Sequence, residues 1–402
     1  DGLVYTVTLR SDSVWSDGEP VRAQHYVDGV IRALDPATGA DYTASLLYPI
    51  EGAEAYNRGD ITDPDQVGVT ALDAHTLQFT LEEPTVYFPS IAATSAAYPV
   101  RLDLINSDPH WTEAGHFVGN GPYTLETWDH GNYLELRRNP HYYDAAQISI
   151  ESVQMPVLSE NEQLAAYEDG LVHVSAAPDG EISRILSDPE LSAEFERLPR
   201  AGVTYVGLNT ELTPTDVITV RKALASAIDR RHVVTDVLNR PWAELATSVI
   251  PPGLPGYQND AVGHPFDPVQ ARAYLTEAGY PGGTGFPGIE LWADQHNETL
   301  IEGIADQWRS HLGITVTTST YDWDTYLGIL FNTCSENPGA CAYNGYRLGW
   351  RLDYFDANNV LDDLFHPDVD GQFTGWDSVR YRQLMEMQRS ETNQALRTSY
   401  LQ

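Results

Sequence analysis

Lysine is almost missing from this chain. Of 23 basic residues only Lys222 is a lysine and the rest are arginine, against 58 Asp and Glu, which leaves a net charge of −35. With no basic patch to neutralise phosphates, nucleic acid is excluded as a partner. An anionic membrane surface is disfavoured for the same reason. The acids are spread along the chain and read as a solvated surface; a saline habitat or a GC-rich genome each produces such a Lys-poor composition. No run of 18 apolar residues occurs, so nothing here is built to cross a bilayer as a helix. No charged-then-apolar leader opens at Asp1, so any secretion signal lies outside these 402 residues.

The motifs of catalysis are missing too. There is no G-x-x-x-x-G-K-[ST] phosphate cradle and no G-x-S-x-G nucleophile elbow. The 12 histidines include no H-x-x-x-H pair, and no Ser/His/Asp set can be picked from order alone. Gly283-x-Gly285-x-x-Gly288 precedes a strand and contains Pro287, so it reads as a loop and not as a dinucleotide fingerprint. Asp368-x-Asp370-Gly371 hints at a calcium loop but lacks the remaining ligand spacing. The expectation is a protein that is not an enzyme and carries no cofactor and no metal.

Cysteine is scarce, at two residues. Cys334 and Cys341 enclose Ser, Asn, Pro and Gly, all turn formers, which fits a small disulfide-closed loop in an oxidising compartment. A metal pair is disfavoured because no other Cys exists and no His lies near. The spacing excludes a CxxC redox motif.

What is present is enough for two or three domains: 402 residues, 42% of them apolar. Leu3, Tyr5, Val7 and Leu9 alternate as a strand. A helix is expected after Asp17-Gly18, with Val27, Val30, Ile31 and Leu34 on its stripe and Asp35-Pro36 at its end. Residues 67–81 read as a hairpin, 123–128 and 133–137 as paired strands, and 149–157 as another strand. Helical patterns follow at 160–169 and 180–186. After the short strand 205–209, a long amphipathic helix runs from near Asp216 through Leu238. A helix at 269–279 ends on Gly279. Strand 289–294, helix 298–312 and strand 314–322 form a β-α-β unit, the signature of a right-handed crossover in a parallel sheet.

The stretch 342–359, AYNGYRLGWRLDYFDANN, organises the rest. As a strand over 342–352 it places Tyr346, Leu348, Trp350, Leu352 and Tyr354 on one face. Gly345, Arg347, Gly349, Arg351 and Asp353 fall on the other. Strand ends that open onto a cleft are where α/β proteins put ligand contacts. Asp353 can grip an ammonium and Arg347 a carboxylate, the two charges of an amino acid or peptide. The bland alternative is a half-buried edge strand with solvated charges.

Five segments, taken together, resemble a known family: LRSDSVWSDGEPVRA at 9–23, GNGPYTL at 119–125, LELRRNPHYYD at 134–144, VRKALASAIDRRHVV at 220–234 and GYRLGWRLDY at 345–354. In this order they are similar to the oligopeptide-binding proteins, the solute-binding components of peptide ABC transporters in the peptide/nickel-binding superfamily (family 5). The resemblance implies an α/β, two-lobed, periplasmic-binding-protein-like fold (type II, cluster C) with an additional small α+β domain. Residues 1–118 would be that extra domain, 119–203 part of the first lobe and 204–402 the second lobe. Family members carry segments before and after the matching region, so the chain reads as truncated at both ends. Asp353, in Gly349-Trp350-Arg351-Leu352-Asp353-Tyr354, would hold a peptide's α-ammonium, and Arg347 its carboxylate. Trp350 and Trp323 would wall side-chain pockets, and Tyr205 would stand at the lobe crossover. The implied partners are a short peptide and ABC permease subunits. The implied setting is the outer face of the cytoplasmic membrane, as a monomer that is secreted or held by a lipid anchor absent from this chain. Rival readings are an oligosaccharide or metal-chelate binder on the same scaffold, and a surface sensor or adhesin.

Overall fold

The computed structural model describes residues 2–198, 200–259, 263–334, 338–368 and 373–402. They form two compact units, Asp1–Ile182 and Ser183–Gln402.

In the first unit, β1 (Val4–Thr8), β2 (Val69–Ala71) and β3 (Thr76–Thr80) make an antiparallel sheet ordered β1-β3-β2. The turn joining β2 to β3 is set by Asp73, whose carboxylate accepts from the His75 N–H at 2.8 Å and the Thr76 hydroxyl at 2.9 Å. Helix α1 (Ala23–Leu34) buries Val30 and Leu34, four apart on its expected stripe. Leu77 and Phe79, alternate residues of β3, are buried as well. A second sheet is the antiparallel meander β4 (Tyr123–Asp129), β5 (Tyr133–Arg138) and β6 (Ser152–Pro156). No residue of its three strands is buried.

The second unit is built on four strands: β7 (Gly202–Leu208), β8 (Ile289–Asp294), β9 (Val316–Tyr321) and β10 (Gly345–Arg351), ordered β7-β10-β8-β9. Strand β10 runs antiparallel to β7 and parallel to β8, and β8 runs parallel to β9. The β8–β9 crossover is the helix Glu298–Leu312, as its period predicts. Helices α2 (Ile218–Ser226), α3 (Pro268–Glu277) and α4 (Glu298–Leu312) share one core with Ile289, Leu291 and Ala293 of β8. Trp292, the residue between, turns to the opposite core with Tyr346 and Leu348 of β10, Tyr326 of helix α5 (Trp323–Ile329), Tyr343 and Phe373. Alternation along one strand thus feeds two cores. Tyr346 pairs in register with Gly207, and a Cβ at Gly207 would stand 2.4 Å from the Tyr346 ring, so only glycine admits that ring.

Two expectations change. The long helix from Asp216 through Leu238 is broken after Ser226. Asp229 caps a new turn by accepting from the His232 N–H at 3.1 Å, and its own N–H donates to Gln307 of α4 at 2.5 Å. A tertiary contact outweighs helical periodicity there. Strand β10 also stops at Arg351, so Asp353 lies beyond it. The glycines 283, 285 and 288 form a turn ahead of β8 and open no helix.

Candidate functional site

Past Arg351 the chain bends and enters helix α6 (Asn358–Phe365). The bend is tied down by side chains. The Asp356 carboxylate accepts from the Asn358 N–H at 2.9 Å, satisfying a first-turn donor of α6. Arg397, on helix α8 (Gln394–Leu401), forks onto the same carboxylate at 2.7 and 2.8 Å. Arg397 also donates to Gln388 of helix α7 (Val379–Ser390) through Nε at 3.0 Å and Nη2 at 2.8 Å. On the next turn of α6, Asp362 accepts from Arg389 of α7 at 2.8 Å.

Asn359 sits at the centre of this bend and is fully buried. Its Oδ1 accepts from the Trp350 Nε1 at 3.0 Å and from the Asp353 N–H at 2.9 Å. Its Nδ2 donates to Asp353 Oδ2 at 3.1 Å and to Asp363 Oδ2 at 2.9 Å. Asp363 also accepts from the Tyr354 hydroxyl at 2.7 Å. Burial pushes the Asp363 carboxyl up to about 7; the neighbouring charges of Asp362 and Asp353 add to the rise, and its bonds from Tyr354 and Asn359 oppose it.

Arg347 is held differently. Nη1 meets Asp294 Oδ2, and Nη2 meets Thr204 Oγ1, both at 3.5 Å. Its buried Nε finds no hydrogen-bond partner within the protein. Burial lowers its pKa, and the Asp294 charge partly restores it. Asp294 itself accepts from Asn297 Nδ2 at 2.7 and 3.0 Å and from the His296 N–H at 3.1 Å, so its position does not depend on Arg347.

Tyr205 pairs in register with Leu348, and its ring lies edge-on to Tyr346 at 6.2 Å and to Phe365 at 5.5 Å. Its buried hydroxyl has no partner of ordinary hydrogen-bond geometry, and burial pushes its pKa up strongly. Trp323 opens α5, is 47% exposed, and stands 6.5 Å from the Tyr326 ring. Tyr326 in turn donates to the Arg347 carbonyl at 2.8 Å. Cys334 and Cys341 are joined, with Cα atoms 5.8 Å apart, in one buried cluster with Tyr343 and Tyr346.

The sequence reading named Arg347 and Asp353 but not the groups that orient them. Alternation placed Asp353 on the Arg347 face; in the structure Asn359 orients it instead. Asn359, Asp363, Asp294 and Thr204 were missed. The available signal was a pair of asparagines opening a helix, five and six residues after Asp353, a place where an amide usually bonds to local backbone. Among the described residues no group of three or more His, Cys, Asp or Glu is placed to hold a metal. Asp370 and Gly371 of the calcium-loop pattern lie outside the described residues. No helix among them is long and apolar enough to cross a membrane.

Two compact units, the second a mixed four-stranded sheet packed by helices, are the architecture expected above for a solute-binding protein. The chain belongs to the bacterial extracellular solute-binding proteins, family 5: the model of that family, described as its middle part, matches residues 1–372. Among curated relatives it is 28% identical over 413 aligned positions to the oligopeptide-binding protein OppA of Bacillus subtilis, covering 100% of this chain and 74% of that protein. It is 30% identical to the periplasmic murein peptide-binding protein MppA of Escherichia coli, over 90% of this chain and 67% of that one. Among solved structures, the unliganded open form of the murein tripeptide-binding protein MppA superposes with a TM-score of 0.80 at 27% identity, covering 100% of this chain and 77% of that one. A periplasmic oligopeptide-binding protein of Borrelia burgdorferi gives 0.77 at 26% identity, covering 100% and 78%. The α/β, periplasmic-binding-protein-like fold expected from the sequence is therefore the fold observed.

Proposed function

We propose that this chain captures oligopeptides outside the cytoplasmic membrane and delivers them to an ABC permease, binding without turning them over. Asp353 receives the α-ammonium of the peptide. Arg347 receives a carboxylate, in keeping with its orphaned Nε and its two stretched bonds. Trp350 and Trp323 wall the side-chain pockets, and Tyr205 lines the crossover strand. In this reading 1–118 is the extra domain, 119–203 belongs to the first lobe and 204–402 to the second. The protein works as a monomer at the outer face of the cytoplasmic membrane, either secreted or held there by a lipid anchor.

The observation that carries the reading is Asp353, held at the end of β10 by an amide that bonds both its backbone and its carboxylate. End charges give affinity with little demand on peptide sequence, and aromatic walls with trapped water accept varied side chains. Asp353→Ala should weaken peptide binding by about 2–5 kcal/mol in calorimetry. An unchanged affinity would remove Asp353 from the role. A thermal-shift panel of peptides, oligosaccharides and metal chelates separates the peptide reading from the other solutes this scaffold could hold.

A further inference from the structure

Asn359 is buried and uses all of its hydrogen-bonding capacity. An amide has two acceptor sites on oxygen and two donors on nitrogen. Here both acceptor sites take N–H groups, from the Trp350 indole and the Asp353 backbone. Both donors go to carboxylates, Asp353 and Asp363. The orientation is forced: turned over, the amide would set N–H against N–H on one side and oxygen against two carboxylates on the other. Helix α6, which carries Asn359, is braced by Arg389 on Asp362 and by Gln388 on Asn358.

We infer that Asn359 is the positioning residue of the site: one amide fixes Trp350, the Asp353 backbone and the Asp353 carboxylate in a single geometry, and so sets the preference for ligands with a free ammonium end. This inference rests on the peptide reading above. Charged groups bind selectively only when packing and hydrogen bonds behind them hold them still. A pocket wall and a charge tied to one amide present a peptide's first side chain and its ammonium at a fixed spacing. Asn359 itself touches no ligand in this account.

The test offers the full chain a randomised pool of tri- to pentapeptides mixed with the same pool N-acetylated, and measures by mass spectrometry which is retained. The native protein should retain the free-amino pool, and Asp353→Asn should lose that preference. Asn359→Ala should reduce the preference about tenfold or more, the scale of one hydrogen bond to a charged group. The double variant should be no worse than Asp353→Asn alone, because the two residues act as one unit. Should Asn359→Ala not fold, the isosteric Asn359→Asp serves. It keeps the acceptor but turns an oxygen toward Asp353 and Asp363, with Asp362 and Tyr354 close by and Arg389 behind. A proton at position 359 restores the missing donor, so its preference, taken relative to that of the native protein at the same pH because Asp363 titrates in both, should recover from pH 8 to pH 5.5. Full preference in either Asn359 variant at pH 8, or additive losses in the double variant, overturns the inference while leaving the peptide reading in place. A native protein indifferent to acetylation overturns both.

Discussion

Arg347 and Asp353 stand six residues apart and are held by opposite means. The bonds of Arg347 to Asp294 and Thr204 are at the long limit, and one buried N–H has no protein partner. Asp353 rests on an amide with no valence left over, on a helix locked by the buried Arg397–Asp356 fork. A polar group left short of partners costs stability, and a ligand that supplies them recovers that cost as affinity. A saturated network gives up that gain in return for fixed geometry. In the proposed peptide reading, the guanidinium would accept ligands of varied reach and the carboxylate would measure one end of them.

The largest expected effect separates the two arginines. Arg397→Met strands the Asp356 carboxylate in the interior and should lower unfolding free energy by about 3–5 kcal/mol in denaturant titration. Arg347→Met removes a cation whose partner Asp294 keeps its bonds from Asn297 and His296, and should change stability by less than about 1 kcal/mol. Equal losses would break the contrast.

The next effect sharpens it through pH. The Asp363 carboxyl is raised in the folded state to about 7, so the folded chain holds this proton more tightly than the unfolded chain does. Its contribution to stability is complete below the ordinary carboxylate range and is lost as pH rises through 7. Asp363→Asn cannot incur that loss. Its unfolding free energy should exceed the native value above pH 7, by on the order of 2 kcal/mol after discounting for local relaxation, and the gap, read from denaturant titrations across pH, should close below about pH 4. A gap that does not change with pH would show that the network gains nothing from the proton.

The smallest effects concern the two tryptophans. Trp350→Phe deletes the indole donor to Asn359 and should cost about 1 kcal/mol. Trp323→Ala, at a half-exposed position, should stay within about 0.5 kcal/mol of native stability. Thermal melts of both variants compare an anchored ring with a half-exposed one.

The same division marks what could be read in advance. Strand 289–294 and helix 298–312 were placed residue for residue, because their apolar periods are strong, a turn capped by Asp294 separates them, and Gly313, at φ +68°, closes the helix. The break after Ser226 was not legible, because Gln307, 78 positions on, supplies the bond that ends the run at Asp229. Asp353 was legible from its motif, yet its orientation was not, since alternation ends with the strand at Arg351.

By itself the sequence determined the elements with strong periods and the family, and it named the charged residues proposed to meet a ligand, because spacing and side-chain chemistry are local properties. Only the tertiary structure decided which charge would be saturated and which left short of partners. A hydrogen bond depends on where two distant backbones put their side chains, and the folded sheet and its helices are what bring Asn359 to Asp353 and Asp294 to Arg347.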